Sequence, residues 1–130
     1  MPAGRLFALP LIVTETGVLA PGASAELWDA IGDYEPGFCL DTCHFHAGGE
    51  DLSGIVDRVK AITGRVDLVH ANDSRDEFDS GADRHTNLGS GFIAPEAIAE
   101  IARIAACDVI VETPVDGQAE DIAYLRANAD

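Results

Sequence analysis

The sequence predicts an α/β fold in which helices cover a parallel sheet. Four short apolar runs rich in β-branched residues alternate with segments whose apolar residues recur every three or four positions. Because parallel strands need a crossover connection, helices placed between strands indicate right-handed βα units. The chain has 130 residues, 47% of them apolar and 24% charged, which is enough to bury one core. We therefore expect a single α/β domain over residues 1–130.

The first two units occupy the first half of the chain. Residues 9–15, LPLIVTE, are an apolar run that ends in a carboxylate and predicts strand one. Ser24 is a suitable N-cap for a helix over residues 24–31, which a glycine then ends. Strand two follows at residues 38–41. Residues 50–63 show apolar side chains at helical spacing and predict the helix of the second unit.

The third unit is interrupted by a long polar segment. Residues 66–71, VDLVHA, predict the third strand. Residues 72–92 then show neither helical nor strand periodicity over about twenty positions. Loops of this length inside compact domains usually have a function. We therefore expect this segment to contribute to a site.

The last strand and the two helices around it complete the pattern. A helix is predicted at residues 95–106, with a proline at its first position. The fourth strand is predicted at residues 108–112 and the final helix at 118–127. Ile122 and Leu125 are predicted to form the buried face of that final helix.

The charge of the chain argues against broad binding of nucleic acid. The sequence has 8 basic and 23 acidic residues, for a formal net charge of -15 at pH 7. Proteins that bind nucleic acid over an extended surface neutralise phosphates with lysine and arginine. Bound cations would offset part of the negative charge and can themselves receive a phosphate. A local site for nucleic acid is thus compatible with this composition.

The cysteines and the apolar runs indicate a cytoplasmic protein. Cys39, Cys43 and Cys107 are odd in number and lack the spacing of a disulfide scaffold, so we expect reduced thiols. The first ten residues lack the apolar stretch of a signal peptide. No run approaches the ~20 apolar residues of a membrane span, and we expect no membrane partner.

The ends of the four predicted strands carry side chains that bind metal ions. In chain order these are Glu15, Asp41, His70 and Glu112. Sites in parallel sheets are built at the carboxyl ends of strands, because those ends meet at one edge. Carboxylate oxygen and imidazole nitrogen are ligands that zinc and other divalent ions accept. The pattern predicts a metal site at this edge.

Three further residues of the same type lie in the loops that follow the strands. His44 comes three positions after Asp41, and the pair Asp83 and His85 lies in the polar segment. A single carboxylate at a strand end is more often a helix N-cap, and a single histidine is more often a hydrogen-bonded core residue. The coincidence of seven such residues favours a multinuclear metal centre. We interpret His46 as a loop residue that faces solvent or a phosphate.

Several short motifs resemble a known enzyme family. They are DTCH at 41–44, HANDS at 70–74, DRH at 83–85, NLG at 87–89 and VET at 111–113. In this combination they are similar to the carboxyl-terminal half of endonuclease IV, also called deoxyribonuclease IV. The resemblance covers about residues 26–130, and the first 25 residues are outside it.

The resemblance implies a zinc-dependent TIM barrel that acts in base-excision DNA repair. Such an enzyme cleaves the phosphodiester bond 5′ to an abasic site in double-stranded DNA and holds up to three zinc ions. The implied ligands of one ion are Asp41, His70 and Glu112, those of a second are His44, Asp83 and His85, and Glu15 is a further candidate. Glu112 would also orient the attacking hydroxide, and Arg84 would meet a phosphate.

The chain departs from that family in its length. A TIM barrel needs roughly 250 residues and eight units, whereas this sequence predicts four. A half barrel leaves two sheet edges open, so we expect a homodimer or pairing with a missing amino-terminal half. Two alternatives stay open. One is a fragment that binds metal without turnover, and the other is a related sugar isomerase or epimerase, although Lys60 lies in a predicted helix.

Overall fold

The computed structural model describes residues 8–10 and 23–130, with side chains from residue 26 onward. Within these residues it contains one main sheet, a two-stranded ribbon and five α-helices. The elements in chain order are β1 (Ala8–Pro10), α1 (Ala23–Ile31), β2 (Gly37–Asp41), α2 (Thr42–Ala47), α3 (Ile55–Thr63), β3 (Leu68–His70), β4 (Asp73–Ser74), β5 (His85–Thr86), α4 (Pro95–Ala105), β6 (Asp108–Ile110) and α5 (Gln118–Asn128).

The main sheet is parallel and open, as the alternation of strands and helices predicts. Its strand order is β1-β2-β3-β6, and every neighbouring pair runs in the same direction. The register aligns Asp41 with His70, and His70 with Ile110. The carboxyl ends of three strands therefore meet at one edge. Of the predicted first strand, residues 9–15, only residues 9–10 are described, and Glu15 lies outside the described residues.

The core lies between the sheet and the helices that follow its strands. Phe38, Leu40 and Val69 supply buried strand side chains, and Ile98 and Val59 supply buried helical ones. The buried apolar residues of α3 and α4 recur every three or four positions, and this spacing places them on one helical face. In the described part of the chain, no helix has the length and apolar character required to cross a membrane.

Two helices differ from the prediction. Helix α3 begins at Ile55 instead of near residue 50, because Gly54 adopts the left-handed conformation with φ of 69° and ends the preceding turn. On α5, Leu125 is buried as expected, but the prediction for Ile122 was wrong, because its side chain is 40% exposed. The buried neighbour is instead the carboxylate of Asp121.

Two short elements were not predicted. Helix α2 starts directly after β2, and Asp41 caps it, since its Oδ1 accepts a hydrogen bond from the backbone N–H of His44 at 3.1 Å. The polar segment after β3 forms the antiparallel ribbon of β4 and β5, in which Asp73 pairs with Thr86 and Ser74 with His85. Part of the polar segment is thus ordered by strand pairing.

An ion pair at the opposite end of the strands connects β2 to the segment before β3. The Oδ2 of Asp67 accepts hydrogen bonds from the backbone N–H of Phe38 at 2.8 Å and from Arg65 Nε at 2.7 Å. The Asp67 side chain is only 15% exposed. The hydrogen bonds from Arg65 lower the pKa of Asp67, against burial, which raises it.

We expect Asp67→Asn to lower the free energy of unfolding by about 1–2 kcal/mol at neutral pH, because the charged acceptor is lost. A lowered pKa in the folded state means that ionised Asp67 stabilises the fold above its unfolded pKa of about 3.9, and that this contribution is lost as the pH falls through the lower folded value. In urea unfolding, the difference from wild type should be constant above about pH 5 and shrink below about pH 4. The exposed Asp29 on α1 provides the control variant Asp29→Asn. A difference that persists unchanged at low pH would contradict this assignment.

Candidate metal centre

The first group of candidate ligands lies where β2, β3 and β6 end together. The register places Asp41 beside His70, and Glu112 follows β6 by two residues. His70 Nδ1 lies 2.7 Å from Glu112 Oε1 and 3.5 Å from Asp41 Oδ2. One ligand atom from each of the three residues falls within 4.8 Å of the others. These are the residues expected to share one ion.

The second group lies beside the first and is joined to it by Asp41. The Nε2 of His44 is 2.8 Å from Asp83 Oδ2, and the Nε2 of His85 is 3.0 Å from Asp83 Oδ1. Asp41 Oδ2 is 3.8 Å from His44 Nδ1 and 3.9 Å from His85 Nε2. Ligand atoms of Asp41, His44 and His85 also fall within 4.8 Å of one another.

The two groups form one carboxylate–histidine cluster, which consists of Asp41, His44, His70, Asp83, His85 and Glu112. The structure thus brings together six of the seven ligands expected from the sequence, and the seventh, Glu15, is outside the described residues. Because the cluster has three carboxylates and three imidazoles, its donor set suits zinc or a similar divalent ion.

The pKa values of the buried members reflect their proximity. Burial works to raise the pKa of Asp41, but its hydrogen bond with His70 and the nearby His44 and His85 outweigh burial, so the pKa is lowered. The hydrogen bond with Asp41 raises the pKa of His70, against burial, and Glu112 adds to this effect. Asp41 therefore stays an anion inside the protein, as a metal ligand must.

His85 is held in the form that binds metal. Its Nδ1 lies 3.2 Å from the backbone carbonyl of Glu112, and a proton on Nδ1 is donated to that oxygen. The lone pair of Nε2 is then free. The Nε2 atom is buried and has no hydrogen-bond partner among the described residues, although Asp83 is within ion-pair distance. A metal ion would accept the lone pair of this nitrogen. His85 and its neighbours Asp83 and His44 therefore suit a bound metal ion.

Asn72 holds the first group together and was not predicted as a site residue. Its Nδ2 donates to Asp41 Oδ2 at 3.2 Å and to Glu112 Oε1 at 3.4 Å, and its Oδ1 accepts from the Glu112 N–H at 2.8 Å. Asn72 is fully buried, and its backbone exchanges hydrogen bonds with the Thr42 hydroxyl. The sequence did contain one indication of this role, because Asn72 directly follows the predicted third strand, which carries the candidate ligand His70.

His46 has a different role from the one predicted. It was expected in a loop facing solvent or a phosphate, and this was wrong, because it is buried on α2. Its Nε2 lies 2.9 Å from the carbonyl of Asp76, and its ring packs edge-on against Phe78 at 5.7 Å. The short helix turns His46 away from the cluster and His44 toward it. His46 therefore supports the loop that contains Asp76.

Arg84 lies next to the cluster in an ion pair. Its Nε and Nη2 donate to the carboxylate of Asp76 at 2.9 and 2.5 Å. These bonds raise the pKa of Arg84 and lower that of Asp76. A second arginine, Arg75, donates from Nε to the His85 carbonyl at 3.0 Å. That Arg84 contacts a phosphate stays a prediction, and the contact would compete with the Asp76 pair.

The cysteines are free thiols, as expected. Cys39 and Cys43 are buried, and burial raises the pKa of each to about 12. Both therefore stay protonated near neutral pH when no metal ion is bound, and coordination would release the thiol proton. The sulfur of Cys43 lies within 4.8 Å of ligand atoms of Asp83 and His85, which makes it a further candidate donor at the second group.

A buried carboxylate fixes the polar loop that follows β5. Asp73 is fully buried, and its Oδ1 accepts from the N–H groups of Ser74 at 2.7 Å and Ile93 at 2.9 Å. Its Oδ2 accepts from the N–H groups of Gly89 at 3.0 Å and Gly91 at 2.9 Å. The four hydrogen bonds from backbone N–H groups to Asp73 thus order this loop, which has few apolar contacts of its own. Asp73 was not predicted as important.

Comparison with known proteins gives a consistent set of similarities. The family described as "Xylose isomerase-like TIM barrel" matches residues 15–128. The chain is 60% identical over 102 residues to "Probable endonuclease 4" of Mycobacterium tuberculosis (strain ATCC 25177 / H37Ra), and 58% identical to the same protein of Mycobacterium leprae (strain TN). Each alignment covers 78% of this chain and 40% of the relative.

A solved structure shows the same similarity. The crystal structure of endonuclease IV from Thermus thermophilus superposes with a TM-score of 0.70 at 32% sequence identity. The superposition covers 80% of this chain and 42% of that one. The chain thus spans about two fifths of the length of the relatives that it matches. The expected resemblance to endonuclease IV and to the TIM-barrel fold is confirmed.

We expect Gly91→Ala to lower the free energy of unfolding by about 1–3 kcal/mol, as overpacking of a close contact does. A Cβ at Gly91 would lie 2.0 Å from the carbonyl oxygen of Ser74 and 2.6 Å from Asp73 Oδ1. Gly32→Ala is the matched control, because the nearest atom to a Cβ there is 3.9 Å away on Trp28. Urea unfolding of both variants measures the effect. Equal stabilities would contradict the tight packing of the loop against β4.

Proposed function

Because the chain belongs to the xylose isomerase-like TIM barrel family, we propose that it is a metal-dependent DNA repair endonuclease that hydrolyses the phosphodiester 5′ to abasic sites. The relatives named endonuclease 4 and the endonuclease IV structure support the nuclease class. Since the chain spans 40% of those relatives, its activity, substrate and partners are all part of the proposal. The proposed metal is zinc, and the proposed substrate is double-stranded DNA with abasic sites.

The observation that carries the proposal is the buried Nε2 atom of His85, which has no hydrogen-bond partner among the described residues. A buried imidazole nitrogen with no hydrogen-bond partner among the described residues is unfavourable without a ligand, since burying an unsatisfied polar atom costs about 1–3 kcal/mol. The carboxylate of Asp83 and the imidazole of His44 lie around the same space. These groups would hold one ion through His44, Asp83 and His85.

The other ion would be held by Asp41, His70 and Glu112. Bound divalent ions supply positive charge that polarises a phosphodiester and lowers the pKa of water. Glu112 is the accessible member of this group, with a side chain 44% exposed, and we assign it the orientation of the attacking water. Asp41 is buried and lies within reach of both groups, so its carboxylate would supply a ligand oxygen to either ion.

The acidity of the chain restricts how DNA is held. A net charge of -15 opposes binding over a wide surface, so phosphate contacts must be local. Arg75 and Arg84 lie on or beside the ribbon that carries His85, and both are exposed. We assign phosphate contact to Arg84, with release of its partner Asp76. The three free thiols support a cytoplasmic location, which the proposal includes.

A second candidate is a chain that binds metal without cleaving DNA. It is favoured by the openness of the sheet, because four strands do not close the barrel on which the family's sites are built. The sugar isomerase or epimerase alternative has less support. Members with a lysine acid or base need it near the metal, whereas Lys60 lies on α3, which packs against α1 and α4.

We expect the purified protein to contain zinc and to nick a duplex that carries one abasic site. Glu112→Gln should slow nicking by about 10²- to 10⁴-fold, as loss of a group that moves or orients the reacting proton does. Metal analysis and gel-based nicking measure the two properties. Glu96→Gln, an exposed carboxylate on α4, is the control and should nick at the wild-type rate.

The outcomes separate the candidates. Chelation should abolish nicking, and added zinc should restore it. Bound zinc without nicking would overturn the endonuclease assignment and support the second candidate. Absence of bound zinc in folded wild-type protein would overturn both.

We also expect the chain to associate through the outer edge of β6. That edge has no strand partner among the described residues, and Val109 and Ile110 are 36% and 47% exposed. Unpaired strands are templates for pairing, so we propose a homodimer or pairing with an amino-terminal half. Light scattering should give a mass above the 13.7 kDa of one chain, and Ile110→Lys should reduce it. A stable monomer would contradict this expectation.

A further inference from the structure

We propose that Asp121, a residue of α5 outside the carboxylate–histidine cluster, is the positioning residue that holds His85 against Glu112. The inference rests on the proposed function, because it assigns Asp121 to the support of the same metal site. The assignment comes from the hydrogen bonds of one buried carboxylate.

The Asp121 carboxylate makes three hydrogen bonds to two separate segments. Its Oδ1 accepts from the backbone N–H of Leu88 at 2.9 Å, and its Oδ2 accepts from Asn87 Nδ2 at 2.8 Å. The Oδ2 also accepts from the hydroxyl of Thr113 at 2.5 Å. The side chain is buried, with 3% of its surface exposed. No salt-bridge partner occurs among the described residues, so the bonds act on backbone position and not on charge balance.

The two segments joined by Asp121 are the ones that carry His85 and Glu112. Asn87 follows His85 by two residues, and Thr113 follows Glu112 directly. The segments also touch at the ligands themselves, where His85 Nδ1 meets the Glu112 carbonyl at 3.2 Å. The segment after His85 and the segment after Glu112 are therefore connected at two points, through Asp121 and through the His85–Glu112 hydrogen bond. We call this arrangement the ring. Movement of either segment would break the hydrogen bond that selects the Nδ1–H tautomer of His85.

Further bonds make the ring rigid on the side of α5. Asn87 Nδ2 donates to the carbonyl of Pro114 at 3.0 Å as well as to Asp121. Gln118 Nε2 donates to the carbonyl of Thr113 at 2.6 Å. The first turn of α5 thus holds Thr113 through Gln118 and Asp121, and Asn87 links Pro114 and Asp121 to the loop after β5. A carboxylate is required because three donors converge on two oxygens, and a carboxylate only accepts.

The test replaces that carboxylate with a group of the same size. In Asp121→Asn the amide nitrogen is a donor, so at least one of the three donors meets another donor. We expect the metal-free variant to lose the single Nδ1–H tautomer of His85, read from the ring nitrogen chemical shifts by NMR. We expect the affinity for one zinc ion to fall by about 10- to 100-fold in competition with a chromophoric chelator, as loss of support for a ligating histidine does.

Two further variants separate positioning from general stability. Glu120→Gln changes an exposed carboxylate next to Asp121 on the same helix and should leave the tautomer and the zinc affinity at wild-type values. Thr113→Val removes one of the three donors and keeps the carboxylate, so it should give a smaller change in the same direction. It also provides a folded variant if Asp121→Asn fails to fold.

The results distinguish this inference from the proposed function. A folded Asp121→Asn or Thr113→Val protein with the wild-type tautomer and zinc affinity would overturn the role of Asp121. Wild-type protein that binds no zinc would overturn the metal centre, and the NMR readout would still decide whether Asp121 positions His85. A shift of the tautomer by Asp121→Asn with no shift by Glu120→Gln supports the inference in either case.

Discussion

The burial of one carboxylate at the end of β2 constrains the rest of the site. Asp41 is an anion in the interior, and an isolated charge there would be strongly unfavourable. Its two oxygens are accommodated by the His44 backbone N–H, by the Asn72 amide and by the imidazole of His70. Two of these groups also fix another part of the chain. The His44 N–H belongs to the first turn of α2, and the Asn72 side chain accepts a hydrogen bond from the Glu112 N–H. Helix, strand ends and ligand positions therefore depend on the same buried charge.

The polar segment between β3 and α4 is ordered by the same kind of interaction. Few of its side chains can enter an apolar core, so contacts of that type cannot fix it. Asp73 accepts hydrogen bonds from four backbone N–H groups of this segment, and Asp121, on α5, accepts one from the Leu88 N–H. Both carboxylates are buried and satisfied by donors within reach. His85 lies on β5, and the segment directly after it is bonded by both carboxylates, which keeps the Nδ1 of His85 close to the Glu112 carbonyl.

The sequence was informative wherever the structure depends on local periodicity. The parallel sheet and the inner faces of α3 and α4 follow from apolar spacing. Six neighbouring candidate ligands were predicted because strand ends, and the loops that follow them, meet at one edge. The roles of Asn72 and Asp121 could not be predicted, because their partners lie some 30 or 40 residues away and no spacing rule connects them. The burial of His46 was missed because α2 was not recognised. Its capping residue, Asp41, had already been interpreted as a ligand, so its capping hydrogen bond to the His44 N–H was not predicted.

The open edge of β6 and the charge of the chain act against each other in solution. Exposed Val109 and Ile110 favour contact between copies, whereas a net charge of -15 makes copies repel. Repulsion between exposed charges is screened over about 8 Å at physiological ionic strength and over a shorter distance at higher salt. Dissolved salt therefore shifts the balance toward self-association without changing any residue. The exposure of β6 and the ionic strength of the solution therefore act together on any contact between copies.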